Sequence, residues 1–391
     1  MNYLRSSLDH SSGFSPRALA AKASASLSLR RNMVSLFTLA LAASTLTAGA
    51  QNQPVDTTGT KAGTNAVFFA APPAEFDPLS ASPSELDQYG IPPRPDPSEA
   101  VPFANWKKLV TSPQIRRTDL TVKATNVFHG NLRNAKIQGE AANTTAVNSD
   151  NWSAYAVTGK KNTFTANNSF VFANWTIPAV GVENCNDTPY MSSQWVGFDG
   201  AFVSDDVLQA GTEVDGCPSN YYAWYEWYTG DCTENSAGRP CYSFGLNLPI
   251  NPGDLMAGEV WFTTGAPHGH AYLINYTTGQ SASVAFNQPS TSYSGAIYQG
   301  NSLEWVVERP NGGAPNLTNY VGDGFNVSYG YDGSAYFYPG SSPSGFTTYD
   351  ITMTCPAWIP SSACTSTTPI SEADLFGLYT LWFYSRGPAY Q

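Results

Sequence analysis

Charge is scarce in this 391-residue chain, where 13% of residues are Asp, Glu, Lys or Arg, and cations are the rarer kind at 19 against 30 anions. A nucleic-acid partner would need a basic surface to displace counterions from phosphates, so that class is excluded. The 42% hydrophobic and 13% aromatic content excludes a disordered chain. Long apolar runs are missing too. The best of them, within residues 33–50, is too short and too broken by Ser and Thr to anchor the protein in a membrane. Also absent are GxSxG, HExxH, a DTG or DSG loop, a Walker loop and a GxGxxG stretch entering a helix. Histidine is sparse, and beyond residue 148 only His268 and His270 occur, so a Ser-His-Asp triad has little support. His268-Gly-His270 would put two imidazoles on one strand face, but no third metal ligand is marked nearby. No metal or cofactor is expected.

The charge that is present is unevenly spread. Residues 51–148 hold 9 basic and 9 acidic side chains, whereas residues 149–391 hold 5 and 20, a net of 5 − 20 = −15. Protonating those carboxylates leaves so few cations that self-repulsion in acid is limited. An acid-tolerant protein is the expectation, although a secreted β-rich surface of low charge would have the same composition.

The run at residues 33–50 follows Arg30 and Arg31 and ends Ala48-Gly49-Ala50, a signal-peptide pattern. We therefore expect a leader over residues 1–50 and export, to the medium or to a periplasm in a Gram-negative host. Six cysteines, Cys185, Cys217, Cys232, Cys241, Cys355 and Cys364, all lie beyond residue 148 and none forms a CxxC pair. An even count in an exported chain suggests disulfides; spacing favours Cys232–Cys241 and Cys355–Cys364, leaving Cys185–Cys217. Residues 51–120 carry 11 prolines and read as loosely structured, followed by a basic group of Lys107, Lys108, Arg116, Arg117 and Lys123. Residues 51–148 thus read either as a propeptide held on an acidic domain by opposite charge or as a solvated linker.

From Asn151 onwards the chain alternates short Val-, Ile-, Thr- and aromatic-rich runs with Gly, Asn, Pro and Ser clusters. NSFVFANWTI, SSQWVGFDG, YYAWYEWY, GEVWFTT, LEWVVE and LYTLWFYS read as strands, and TTGQ as a hairpin turn. No long segment has helical period, and no internal repeat is visible. Residues 149–391 are expected to form one all-β domain, an antiparallel β-sandwich.

Strand alternation decides which acids share a face with which aromatics. Glu226 shares its face with Trp224 and Tyr228, while Ala223, Tyr225 and Trp227 point the other way. Glu304, Val306 and Glu308 oppose a core-like face of Leu303, Trp305 and Val307. Trp195 and Asp199 share a face in QWVGFDG. Each acid alone reads most simply as a surface carboxylate; several of them among aromatics point to a site.

NWSAYAV at 151–157, SQWVGFDG at 193–200, LQAGTEVD at 208–215, YAWYEWY at 222–228, INYTTGQ at 274–280 and LEWVVE at 303–308 resemble, in order and approximate spacing, the glutamic peptidases (eqolisins, family G1). The resemblance implies a lectin-like β-sandwich with its active site on a concave sheet face, made as a secreted zymogen and working in acid on polypeptides. It places the catalytic glutamine on Gln209 and the catalytic glutamate on Glu308, with Trp195, Asp199 and Glu226 in support; Trp224 and Tyr228, on the face of Glu226, complete the candidate site. It also implies that the protein's own propeptide inhibits it; the enzyme is expected to act as a monomer. Arg309-Pro310 departs from the family pattern, and a cation beside Glu308 is expected to lower its pKa.

The chemistry agrees with that assignment. Amide hydrolysis needs a base for water, a donor for the oxyanion and an acid for the leaving amine. A glutamate can take the water proton and return it to nitrogen, while a glutamine amide donates without titrating. Two other readings use the same strands: a carbohydrate-active enzyme with Glu226 and Glu308 as paired carboxylates, and a non-catalytic lectin-like binding module.

Overall fold

The computed structural model of the chain describes residues 66–113, 115–116, 122–140, 144–181, 189–216, 219–229, 243–288, 298–313, 315–320, 323–341, 343–356 and 368–385. The leader lies outside the described residues, as do all the cysteines except Cys355, so each expected pairing involves a residue outside them. No helix among the described residues is long and apolar enough to cross a membrane.

Two antiparallel sheets face each other. Their strands are β1 (Thr144–Ser149), β2 (Trp152–Thr158), β3 (Ser169–Thr176), β4 (Ser193–Phe198), β5 (Val207–Gly216), β6 (Ser219–Tyr228), β7 (Leu255–Phe262), β8 (Gly269–Asn275), β9 (Gln280–Phe286), β10 (Ser302–Glu308), β11 (Asp323–Tyr331), β12 (Thr347–Thr354), β13 (Pro369–Phe376) and β14 (Thr380–Ser385). The first sheet runs β6-β5-β4-β10-β2-β12-β1. The second runs β9-β8-β7-β3-β11-β14-β13. Among the fourteen strands named, only β12 and β1 pair in parallel, and β13 also meets β12, joining the sheets along one edge. This is the all-β sandwich expected.

The period-2 pattern produces this arrangement directly. Leu303, Trp305 and Val307, with Ala223, Tyr225 and Trp227, point inward and join residues of the second sheet such as Val171, Trp175, Val260 and Leu273 in the main core. The alternate residues, Trp195, Trp224, Tyr228 and Val306, form a second apolar cluster with Trp152 on the outer face of the first sheet. In the β8–β9 hairpin, Asn275 Oδ1 accepts from the N–H groups of Thr277 and Thr278, and Gly279 supplies the positive φ of 68°.

Within the proline-rich segment, residues 66–113 form ordered elements that its composition does not suggest. Ser82 caps helix α1 (Pro83–Gln88) in a capping box with Glu85, and Pro83 opens it. Helix α2 (Ala100–Thr111) buries Trp106 and Leu109; the Trp106 indole donates to Pro92 O at 2.9 Å. Leu109 packs into a cluster on the outer face of the second sheet, with Phe172, Trp261 and Tyr329. Lys108 lies over the Tyr276 ring at 4.2 Å, and the side chains of Arg116, Arg117 and Lys123 lie outside those described. The described part of the segment packs through apolar side chains and through added strands, such as Val122–Ala124 against Phe244–Leu246.

Candidate active site

Three rows of side chains cross the outer face of the first sheet, set by the strand registers. Glu213, Ser193, Glu308 and Trp152 form one row; Trp224, Gly211, Trp195 and Val306 the next; Glu226, Gln209, Gly197 and Glu304 the third. Two glycines make the rows compact. A Cβ on Gly197 would lie 2.9 Å from Gln209 Cβ, and one on Gly211 only 2.1 Å from Gln194 O. The glycines of QWVG and LQAG therefore let the Gln209 side chain and the β4 backbone lie where they do.

Residues 127–133, from the segment ahead of the sandwich, are laid across these rows. Ser243 N–H donates to Val127 O at 2.8 Å; Phe128 exchanges two hydrogen bonds with Asn311, at 2.9 and 3.0 Å. On the other side Leu132 N–H donates to Gly200 O, and Asn151 Nδ2 donates to Asn131 O, both at 3.0 Å. Phe128 stacks on Tyr228, 5.8 Å between centroids, and Trp152 Nε1 donates to Gly130 O at 3.1 Å.

At the centre of this strap, the peptide bond between His129 and Gly130 meets both residues expected to do the chemistry. Gln209 Nε2 donates to His129 O, and Gly130 N–H donates to Glu308 Oε1 at 3.0 Å. The other Glu308 oxygen accepts from the Trp195 indole at 2.8 Å. Asn151 Nδ2 approaches Oε1 at 3.5 Å. Glu308 and Gln209 are wholly buried. Burial raises the Glu308 pKa well above the ordinary value, and the N–H donors of Gly130, Trp195 and Asn151, with Arg133 nearby, only partly offset it.

The imidazole of His129 lies flat on Trp224, with centroids 3.6 Å apart and planes within 2°. Nδ1 is 3.0 Å from Glu226 Oε2, which also accepts the His129 backbone N–H at 2.8 Å. Nε2 is 2.8 Å from Glu213 Oε2. Because Glu226 Oε2 accepts the backbone N–H as well, Nδ1 is assigned the hydrogen. Burial pushes both carboxyls up and the imidazole down; for Glu213, neighbouring Asp215 adds to the rise. One hydrogen in each N···O contact satisfies the Glu213–His129–Glu226 chain with a net charge of −1, whichever partner carries it.

The structure thus brings together Glu308, Gln209, Trp195, Glu226, Trp224 and Tyr228. Asp199 stands apart. It lies just beyond the end of β4 with φ +67°, which breaks the alternation, and its carboxylate accepts from the N–H groups of Gln299, Gly300 and Asn301 at 2.7–2.9 Å. Burial and Asp206 raise it to about 7. The expected effect of Arg309 is also corrected. Consecutive residues leave a strand on opposite sides, and Arg309 donates to Asp150 O while burial lowers it to about 10. The net direction for Glu308 is up. His268 and His270 hydrogen-bond within the turn at residues 263–267 and stack on Phe262 and Trp261 respectively. No group of three or more potential metal ligands occurs among the described residues.

Sequence reasoning missed Glu213, His129, Gly130 and Asn151 as site residues. Glu213 was legible, since alternation from Gln209 through Gly211 keeps it on the same face. His129 and Gly130 lie in a stretch without periodicity.

Residues 150–368, more than half of the chain, match the Peptidase A4 family. Among solved structures the chain is similar to scytalido-glutamic peptidase with a transition state analog inhibitor, at 20% identity and TM-score 0.45 over 60% of this chain and 98% of that one. It is similar to SCP-B, a member of the eqolisin family in a complex with the tripeptide Ala-Ile-His, at 18% identity and TM-score 0.43 over 60% and 98%. Aspergilloglutamic peptidase from Aspergillus niger follows at 22% identity and TM-score 0.37 over 50% and 99%. No curated protein matches.

Proposed function

Because the chain belongs to the Peptidase A4 family of glutamic peptidases, endopeptidase hydrolases acting on polypeptides, we propose that it is an acid endopeptidase working through Glu308 and Gln209. The observation that carries this reading is the backbone amide shared between the two residues: its carbonyl on the Gln209 amide and its N–H on the Glu308 carboxyl. A peptide substrate in that position has its carbonyl polarised by a fixed neutral donor and its nitrogen next to a titratable acid.

Glu308, ionised, removes a proton from water as it adds to the carbonyl carbon. Gln209 Nε2 holds the oxyanion, and Glu308 then delivers the proton to the departing nitrogen. The Trp195 indole N–H and Asn151 orient the Glu308 carboxyl. A base of this kind works in acid, where a carboxylate of ordinary pKa is part ionised and part protonated. The strap keeps Glu308 buried and its pKa high; exposing the cleft hydrates the carboxyl and returns it towards the ordinary range.

Residues 127–133 support the further reading of an inhibited precursor, since a substrate cannot reach Gln209 and Glu308 while the strap covers them. We read the protein as an exported monomeric zymogen whose own N-terminal segment is its inhibitor.

The test is hydrolysis of a denatured protein by the purified precursor from pH 2 to pH 7, with a pepsin-type inhibitor present. Acid-limited cleavage that resists the inhibitor and accompanies loss of the N-terminal segment is the expected result. Absence of cleavage at every pH, even after trimming of the segment by an added protease, refutes the reading.

A further inference from the structure

The strap occupies the cleft with one particular side chain, and the fit of that side chain is the informative part. His129 supplies the carbonyl held by Gln209, so its imidazole fills the pocket for the residue on the carbonyl side of the bond at the dyad. Three groups make that pocket. Trp224 gives a flat wall 3.6 Å from the ring, while Glu213 and Glu226 meet the two ring nitrogens at 2.8 and 3.0 Å. All three are buried, and so is the imidazole. At Oε2 the Glu213 and Glu226 carboxyls meet the two ring nitrogens, Glu226 also accepting the His129 backbone N–H, while Ser193 and Asp215 lie beside the Glu213 carboxyl.

Resting on the glutamic peptidase reading, we propose that His129–Gly130 is the bond this enzyme cuts in its own chain, and that Glu213, Glu226 and Trp224 select an imidazole side chain immediately before the scissile bond. The slot suits a flat ring with a polar nitrogen on each side. Phe in the same place would stack equally well but leave two buried carboxyls without those partners, which is the arrangement that discriminates most strongly. Lys would lose the stack, and Arg would carry its planar group farther from the backbone than the ring position allows. On the other side of the bond, a Cβ on Gly130 would meet Tyr228 Cζ at 3.4 Å, an ordinary contact, so Ala fits there as well as Gly. The step consumes one water. The C–N bond between His129 and Gly130 breaks, the histidine carbonyl becomes a carboxyl group, and the proton relayed by Glu308 ends on the new Gly130 amine. Asn148–Asn151, the other stretch where a boundary would be sought, is no rival, since Ser149 and Asn151 are buried and hydrogen-bonded at the junction of β1 and β2.

The experiment has two arms. The full-length chain is incubated at pH 4 and its products are identified by mass spectrometry, with His129→Phe and Glu308→Gln chains in parallel. In the second arm, acid-incubated wild-type enzyme is given peptides that differ only in the residue before the cut: His, Phe, Leu, Lys and Arg. We expect a new N-terminus at Gly130 in the wild type, none in Glu308→Gln, and at least about tenfold slower cutting at that bond in His129→Phe. We expect His peptides to exceed Phe peptides at least about tenfold in kcat/KM, and Glu213→Gln to erase most of that ratio. The ratio is measured within each protein, so a loss of overall activity does not mimic it. Acid hydrolysis without preference for His, or a mature N-terminus elsewhere with the His129–Gly130 bond intact, overturns this inference and leaves the peptidase reading standing. No hydrolysis of any peptide overturns both.

Discussion

Raising the pH from 4 to 7 should destabilise this fold, and the buried carboxyls set the size of the effect. Asp199 and Asp215 are pushed up to about 7 and Asp350 to about 6, in each case chiefly by burial. Glu259, Glu304 and Asp323 are buried, and burial raises all three well above their ordinary range, with Ser302 beside Glu304 and the Gly324 N–H beside Asp323 offsetting it only in part. Each such group is protonated in the folded protein and ionised in the unfolded chain between about pH 4 and its folded value, so unfolding releases a proton. The stabilisation is therefore complete below about pH 4 and lost as pH rises. A carboxyl titrating near 7 in the fold and near 4 when unfolded is worth on the order of 4 kcal/mol across that interval. His270, lowered to about 4 by burial, and His129, also pushed down by burial, act in the opposite sense. These two imidazoles are outnumbered by the carboxyls, and the acids with lowered values, Asp77, Glu85 and Asp96, are at the surface where their effect is small. Thermal unfolding of the Glu308→Gln protein, chosen to prevent self-digestion, should show a Tm at pH 4 at least about 5 °C above that at pH 7. A Tm that is flat or rises towards pH 7 would refute the claim that these acids are buried protonated.

Three substitutions probe the site and its scaffold. Gln209→Ala should lower kcat on the order of 10² to 10³ with little change in KM, as expected for a missing oxyanion donor; a change confined to KM contradicts that role. Trp195→Phe removes the indole N–H that holds Glu308 Oε2 at 2.8 Å. It should cost roughly tenfold in kcat/KM and move the acidic limb of the pH–rate profile to higher pH, because a donor to the ionised form is lost; an unmoved limb argues against the contact. Gly211→Ala places a methyl group 2.1 Å from Gln194 O and should cost more than about 3 kcal/mol in a denaturant titration, whereas a stable variant would show that β4 and β5 are not so closely apposed.

Much of this architecture was legible because a strand shows its faces every second residue. YAWYEWY and LEWVVE reveal which side chains point to the core and which to the cleft, and the registers place Gln209 beside Glu226 and Glu308 beside Ser193. Where alternation ends, inference from sequence ends with it. Asp199 lies one residue beyond its strand with a positive φ, so its carboxylate serves the loop at 299–301 instead of the cleft. Arg309 is adjacent to Glu308 in the chain and directed away from it in space. The strap was the least legible element. Its hold on the cleft comes from hydrogen bonds of its backbone to residues as far as 183 positions away, which leave no local pattern in VFHGNL.

The most direct test of the account is the peptidase activity of Glu308→Gln. Wild-type and variant precursors would be trimmed identically with an added protease, the protease inhibited, and hydrolysis of a His-containing peptide followed at pH 4. With base and acid both removed, kcat/KM should fall on the order of 10⁴-fold or more, while circular dichroism of the variant matches the wild type. Turnover of the variant within tenfold of the wild type would contradict the account and move the chemistry away from Glu308.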